Sequence, residues 1–202
     1  MIDYVSIFIF FFAVVDPIGT IPIFIAATAG HDSPSKRMIA VKSVLAATGV
    51  LIFFIVAGEL ILNAMNIPLS AFQTAGGIIL FLFALTMIFG DGKPADEIKL
   101  VDNVNETAIF PLAIPSIASP GAMLAAVLLT ENAQFNIVQQ IQITSVLLLV
   151  LLITFLLMLL ASKIHRFIGN SGASVISRVM GLILASLATA NTLAGIKGYF
   201  AL

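Results

Sequence analysis

Two short stretches carry the residues whose chemistry asks for an explanation. The first, FFAVVDPIGTIPIFI, sets Asp16, Pro17 and Gly19 in the middle of an apolar run. The second, IPSIASPGAMLAAV, sets Ser119, Pro120 and Gly121 in a similar run about a hundred positions later. Asp and Ser accept hydrogen bonds from the first free N–H groups of a helix. Proline breaks a helix interior but suits the position just after such a cap. Each stretch therefore predicts a second half-helix starting inside an apolar segment: 5–15 followed by 18–28, and 107–117 followed by 121–130. A helix start carries about half a positive charge and several unbonded N–H groups, which suits an anion such as a carboxylate. Gly19 and Gly121 would let a ligand approach the backbone closely. Asp16 would receive an ammonium. One positive pocket beside one carboxylate fits a small zwitterion, and an amino acid is the obvious candidate.

The candidate substrate site thus comprises Asp16, Pro17, Ile18, Gly19 and Thr20 from the first stretch and Ser119, Pro120, Gly121 and Ala122 from the second, with Asn191 as a further contributor. An ionisable group inside a membrane segment costs about 3 kcal/mol and marks a substrate, ion or proton path, so Asp16 is also the candidate carrier of a coupling proton. Capping alone is the competing reading of Asp16. Thr86, Ser186 and Thr189 sit at mid-segment and read as cavity-lining, against the alternative that small residues there let helices pack closely. Pro22, Pro111 and Pro115 are expected to shape kinks, and Gly76, Gly77 and Gly181 to permit close helix packing.

These residues need a membrane to make sense. The 202-residue chain is 60% apolar and only 9% charged, with a mean hydropathy of +1.17, whereas a soluble domain is about a quarter charged. It is expected to be an all-α integral membrane protein with the lipid bilayer as its first partner. A net charge of -1 gives no case for nucleic acid, and the absence of cysteine removes thiol and disulfide chemistry. Neither a cofactor nor a metal is expected. MIDYVS lacks the basic start of a signal peptide, so the first apolar segment is expected to be retained.

Six segments are long enough to cross about 30 Å of hydrocarbon: 5–29, 40–62, 70–90, 107–130, 139–161 and 178–199. With the N-terminus outside, Lys36, Arg37, Lys42, Lys93, Lys99, Lys163, Arg166 and Arg178 fall on the inner side and only Lys197 outside. The positive-inside rule favours that orientation, with both termini periplasmic or extracellular in the inner membrane. The connections at 31–37, 63–69, 90–105, 131–136 and 162–177 are read as loops, the acidic 90–105 as a solvated one. Glu59 and Gln73 fall toward the outer side.

The chain also echoes itself. Asp16-Pro17 maps onto Ser119-Pro120 at an offset of 103, Ser43-Val44-Leu45 onto Ser145-Val146-Leu147 at 102, and Gly77-Ile78-Ile79-Leu80 onto Gly181-Leu182-Ile183-Leu184 at 104. Each half, about 1–92 and 105–202, holds three segments. An odd number inserts the halves in opposite senses, the inverted repeat of many secondary transporters. The expectation is one transmembrane domain of six helices, the first and fourth broken at mid-membrane.

At DPIGTIP, GGIILFLFALTMIFG and PLAIPSIASPGAM the chain resembles the MarC family of six-span bacterial and archaeal membrane proteins, over nearly its whole length. That resemblance implies a transporter of small neutral amino acids, glycine, alanine or serine, with Asp16, Pro17, Gly19, Ser119, Pro120 and Gly121 at the substrate site. Efflux of drugs or other amphiphiles is the alternative, although a promiscuous pocket should be wide and aromatic, while the proposed centre is Gly, Pro, Ser and Asp. A regulatory membrane protein is a further one. An enzyme is not expected: a lone Asp16 cannot form an intramembrane aspartyl pair, and HExxH is absent.

Overall fold

The computed structural model describes residues 3–89, 103–132 and 134–200. All described elements are helical: α1 (Tyr4–Val15), α2 (Thr20–Ala27), α3 (Ser33–Ala64), α4 (Leu69–Phe89), α5 (Val104–Thr107), α6 (Pro120–Leu128), α7 (Ile137–Leu159) and α8 (Ala161–Phe200). A wide-turned helical segment, Ala108–Ile117, joins α5 to α6. Five stretches are long and apolar enough to cross a membrane, or six if 104–117 and 120–128, bent by 58° at their junction, count as one span. The expected loop at 90–105 lies mostly outside the described residues, as do Lys93 and Lys99.

Helix ends follow local chemistry. Asp3 opens α1 by accepting from the N–H groups of Val5 and Ser6. Asp32 opens α3 through the Ser35 N–H at 3.1 Å. Asn136 and Gln139 cap α7 reciprocally, each side chain bonding the other's backbone N–H.

Three boundaries differ from the sequence reading. α3 starts at Ser33 rather than near 40, because the Asp32 cap and Pro34 in the first turn start a helix that carries Lys36, Arg37 and Lys42 past the apolar stretch. At 32 residues it is about 48 Å long, longer than the hydrocarbon needs. The expected loop at 162–177 is instead helical, leaving helical geometry only at Gly169, whose φ of 68° suits glycine. The stretch 107–117 is not a regular half-helix. Phe110 and Ile114 take extended φ/ψ, as residues before proline do, so Pro111 and Pro115 shape the chain more strongly than a kink.

The first span sits innermost. Of its most apolar window 67% is buried, against 17% for α3 and 33% for α7. α1 packs on α7 and α6, α2 on 108–117 and α8, and α6 also on α3 and α4. The long helices turn large apolar side chains such as Leu45, Val56, Leu82 and Leu182 outward, as a lipid-facing belt would. α4 and α8 form an antiparallel pair held close by glycine. A methyl group at Gly77 would meet Thr192 and the Ala188 carbonyl; one at Gly181 would meet Ala84, Met87 and Ile88.

Candidate functional site

The two interruptions meet in the buried interior. At the first, Asp16 ends α1 in the left-handed region (φ 49°, ψ 67°), with its N–H bonded to the Phe12 carbonyl. A short polar side chain tolerates that conformation. The chain turns through Pro17, Ile18 and Gly19 before α2 begins at Thr20. The carboxylate accepts from the Gly19 N–H at 3.0 Å, and the Asp16 carbonyl accepts from both the N–H and the hydroxyl of Thr20. Asp16 therefore closes one helix and caps the turn into the next, a different arrangement from the expected extended cap followed by proline at the first helical position. The whole run 4–27 still passes as a single 24-residue span.

The second interruption does take the expected form. Ser119 is extended (φ -70°, ψ 159°), Pro120 is the first residue of α6, and the Ser119 hydroxyl accepts from the Ala122 N–H at 3.1 Å. The same hydroxyl donates to the Val14 carbonyl in the last turn of α1 at 2.8 Å. A second bridge joins the Thr20 and Ser116 hydroxyls, 3.2 Å apart. Asp16, Thr20, Ser116 and Ser119 are all at most 3% exposed.

Ser116 was missed by sequence reasoning. Its signal was available, three residues before Ser119 and so on the same side of a turn, but a serine next to Pro115 reads as part of a kink. The glycines do not open onto space here. A methyl at Gly19 would collide with the Asp16 carboxylate, and one at Gly121 with the tip of Leu80. The backbone surfaces that were expected to face a ligand are covered by the protein's own side chains, and Pro120 is exposed.

The remaining candidates lie elsewhere. Thr86, Ser186 and Thr189 are exposed on α4 and α8, their hydroxyls donating to the carbonyls of Phe83, Leu182 and Ala185. Asn191 is half-buried; it donates to the Leu187 carbonyl and accepts from Gln73 at 3.3 Å. It also lines a groove of about 400 Å³ with Ser6, Phe10 and Leu129. Gln73 is thus tied to α8.

Polar bonds tie residues far apart in the chain at both ends of the molecule. Glu59 on α3 accepts from the backbone and side-chain N–H groups of Asn132, and Tyr4 donates to Gln142 at 2.7 Å. At the opposite end Lys42 donates to Asn105. Burial raises the Glu131 carboxyl above its ordinary value and the charge of Glu59 adds to this, while a hydrogen bond from Gln134 works against it. Asp32 is held below the usual carboxylate range, first by the Ser35 side chain and then by its N–H. Asp3 is held low in the same way by Ser6. Among the described residues, no group of three or more His, Cys, Asp or Glu is arranged to hold a metal ion.

A bundle of apolar spans, the innermost interrupted at a buried carboxylate that lies beside a second, serine-capped interruption, defines a polytopic membrane protein with a polar interior. The profile of the MarC family of integral membrane proteins matches residues 1–200, and the chain belongs to that family. A UPF0056 membrane protein of Methanocaldococcus jannaschii is 34% identical over 190 residues, covering 93% of this chain and 92% of the relative. The UPF0056 inner membrane protein YhgN of Escherichia coli is 34% identical over 203 residues, covering 98% of each. A UPF0056 membrane protein of Aquifex aeolicus is 29% identical over 199 residues, covering 96% of this chain and 92% of the relative. No solved structure matches the chain.

Proposed function

We propose that this chain is a secondary transporter of small neutral amino acids, working by alternating access in the inner membrane, where the name of its relative YhgN places that protein. It acts as a carrier rather than an enzyme. The observation that carries the reading is the bond from the Ser119 hydroxyl to the Val14 carbonyl, which links two interruptions a hundred residues apart inside the most buried part of the bundle. Irregular backbone at membrane depth is tolerated where protein or a water-filled path satisfies it. The state described is closed. The Gly19 and Ala122 N–H groups are turned onto Asp16 and Ser119. A substrate carboxylate would replace Ser119 at the start of α6, and its ammonium would approach Asp16. The small size of Gly19, Gly121 and Ala122 favours a small substrate.

Contacts between α4 and α8 support two inverted halves. Adding 104 to Gly77, Ala84 and Ile88 gives Gly181, Ala188 and Thr192. Gly77 faces Ala188 and Thr192, while Gly181 faces Ala84 and Ile88. Exchanging the halves turns one set of contacts into the other, as a two-fold axis in the membrane plane requires. The pairing of α1 with α7 and of 108–117 with α3 follows the same exchange. The basic residues Lys36, Arg37, Lys42, Lys163, Arg166 and Arg178 share one end of the bundle, supporting an inner position for that end.

The test is counterflow of labelled alanine into liposomes preloaded with unlabelled amino acids. Glycine and alanine preloads should drive uptake and leucine, glutamate and lysine should not. Gly121→Val should abolish the signal in folded protein. Asp16→Asn should keep counterflow, since an amide oxygen still accepts from Gly19, but should lose accumulation driven by a pH gradient. Folded protein that gives no counterflow with any preload would remove the substrate assignment.

A further inference from the structure

At the basic end of the bundle a cleft of about 180 Å³ opens between α2, α3 and the α7–α8 junction. Its polar side is made by Ser33, Lys36, Arg37 and Ser162, and its floor by Phe24, Met158 and Leu159. The two cations differ from their neighbour Lys42, which donates to Asn105. Neither the Lys36 ammonium nor the Arg37 guanidinium has a hydrogen bond or ion pair among the described residues. The nearest carboxylate in sequence, Asp32, is engaged with the N–H of Ser35. Lys36 is half-buried and Arg37 exposed, and neither has a protein counter-charge among the described residues. Two unpaired cations and two hydroxyls above an apolar floor match a group with an anionic phosphate at one end and hydrocarbon at the other.

We propose that this cleft binds the headgroup of an anionic phospholipid from the adjacent leaflet. Lys36 and Arg37 take the phosphate, Ser33 and Ser162 donate to its oxygens, and the first carbons of the acyl chains lie against Phe24, Met158 and Leu159. A basic pocket between spans at the end of a bundle has the charge to select such lipids, and the guanidinium of Arg37 suits two phosphate oxygens at once. α2 is only eight residues long. Phe24 in the cleft and Thr20 at the buried interruption are therefore about one turn apart, which puts an occupied cleft in contact with the helix that carries the interruption. The binding site itself does not depend on the transport reading.

The test uses the full chain in neutral maltoside micelles and short-chain, monomeric lipid. Dihexanoyl-phosphatidylglycerol should raise the melting temperature saturably, dihexanoyl-phosphatidylcholine should not, and inorganic phosphate at the same concentration should not. Removing each cation should weaken the apparent Kd by about fivefold, so Lys36→Gln with Arg37→Gln should weaken it about twenty-five-fold. Ser162→Phe, which keeps both charges and fills the cleft, should abolish the response. Arg178→Gln, outside the cleft, should leave it unchanged. A response retained in Ser162→Phe, or an apparent Kd unchanged in the double variant, would overturn the site. Inorganic phosphate as effective as the lipid would overturn the lipid assignment.

Discussion

Ser119 holds more of the interior together than a cap normally does. Its hydroxyl accepts from Ala122 and donates to Val14, so alanine in its place leaves two buried backbone groups to find new partners. Loss of a cap and of a buried hydrogen bond each cost about 1 kcal/mol. Ser119→Ala should lower stability by about 2 kcal/mol in a denaturant titration in detergent, and Ser119→Thr should recover most of it. The pairing of Ser119 with Pro120 was legible in the sequence because a cap followed by proline is a local signal. The partner of that serine was not, because nothing local says which distant carbonyl lies beside it. Asp16 carries the same lesson in reverse. Its spacing to Pro17 imitates an extended cap, yet the left-handed conformation lets it close α1 as well, and a dipeptide pattern does not distinguish the two. Glu131, just beyond α6, gives a pH prediction. Burial raises its pKa, so the folded chain holds this proton more tightly than the unfolded one. The stabilisation is full below the ordinary carboxylate value and is lost as pH rises through the raised one. Mild acidification should raise the melting temperature, and Glu131→Gln should flatten that dependence.

Among the elements, the antiparallel pair α4 and α8 depends on glycines that no other residue replaces cheaply. A methyl at Gly77 would sit 2.8 Å from the backbone nitrogen of Thr192, an atom that moves only if the helix moves. Gly77→Ala should therefore part the two helices and cost about 1–3 kcal/mol. Gly49 on α3 has nothing within 4 Å of such a methyl, and Gly49→Ala should be neutral or stabilising by up to about 1 kcal/mol. Thermal unfolding of the two variants in one detergent compares them directly. The role of Gly77 and Gly181 in close packing was readable from residue size. Helix limits were less readable. Apolar length marks where a span fits a membrane, but a helix continues through polar residues when its cap and propensity allow, as α3 does from Ser33 and α8 does from Ala161. The opposite error occurred at 107–117, where Pro111 and Pro115 set the backbone of the residues before them.

The described spans surround the two buried interruptions with apolar helices. Composition alone announced the membrane, because a chain with so few charges has no means of solvating a globular surface. The count of spans followed from segment length, leaving the bent pair at 104–128 as the one place where length does not decide between one span and a re-entrant turn. What composition could not announce was closure. Thr86, Ser186 and Thr189 looked like a polar lining, but each hydroxyl returns to its own helix and faces outward, an inexpensive arrangement for a hydroxyl in an apolar span. The buried polar contacts at the two interruptions come from Asp16, Thr20, Ser116 and Ser119, while other buried hydroxyls such as Ser43 and Thr154 bond carbonyls of their own helices. The measurement that tests this account most directly uses the absence of natural cysteine. Ala122→Cys places the only thiol of the protein at the start of α6. Its rate of modification by a small methanethiosulfonate reagent is then read in liposomes with and without amino acids. The account predicts that glycine and alanine slow the modification saturably and that leucine does not. Modification at the same rate whatever amino acid is present would contradict a substrate site at the paired interruptions.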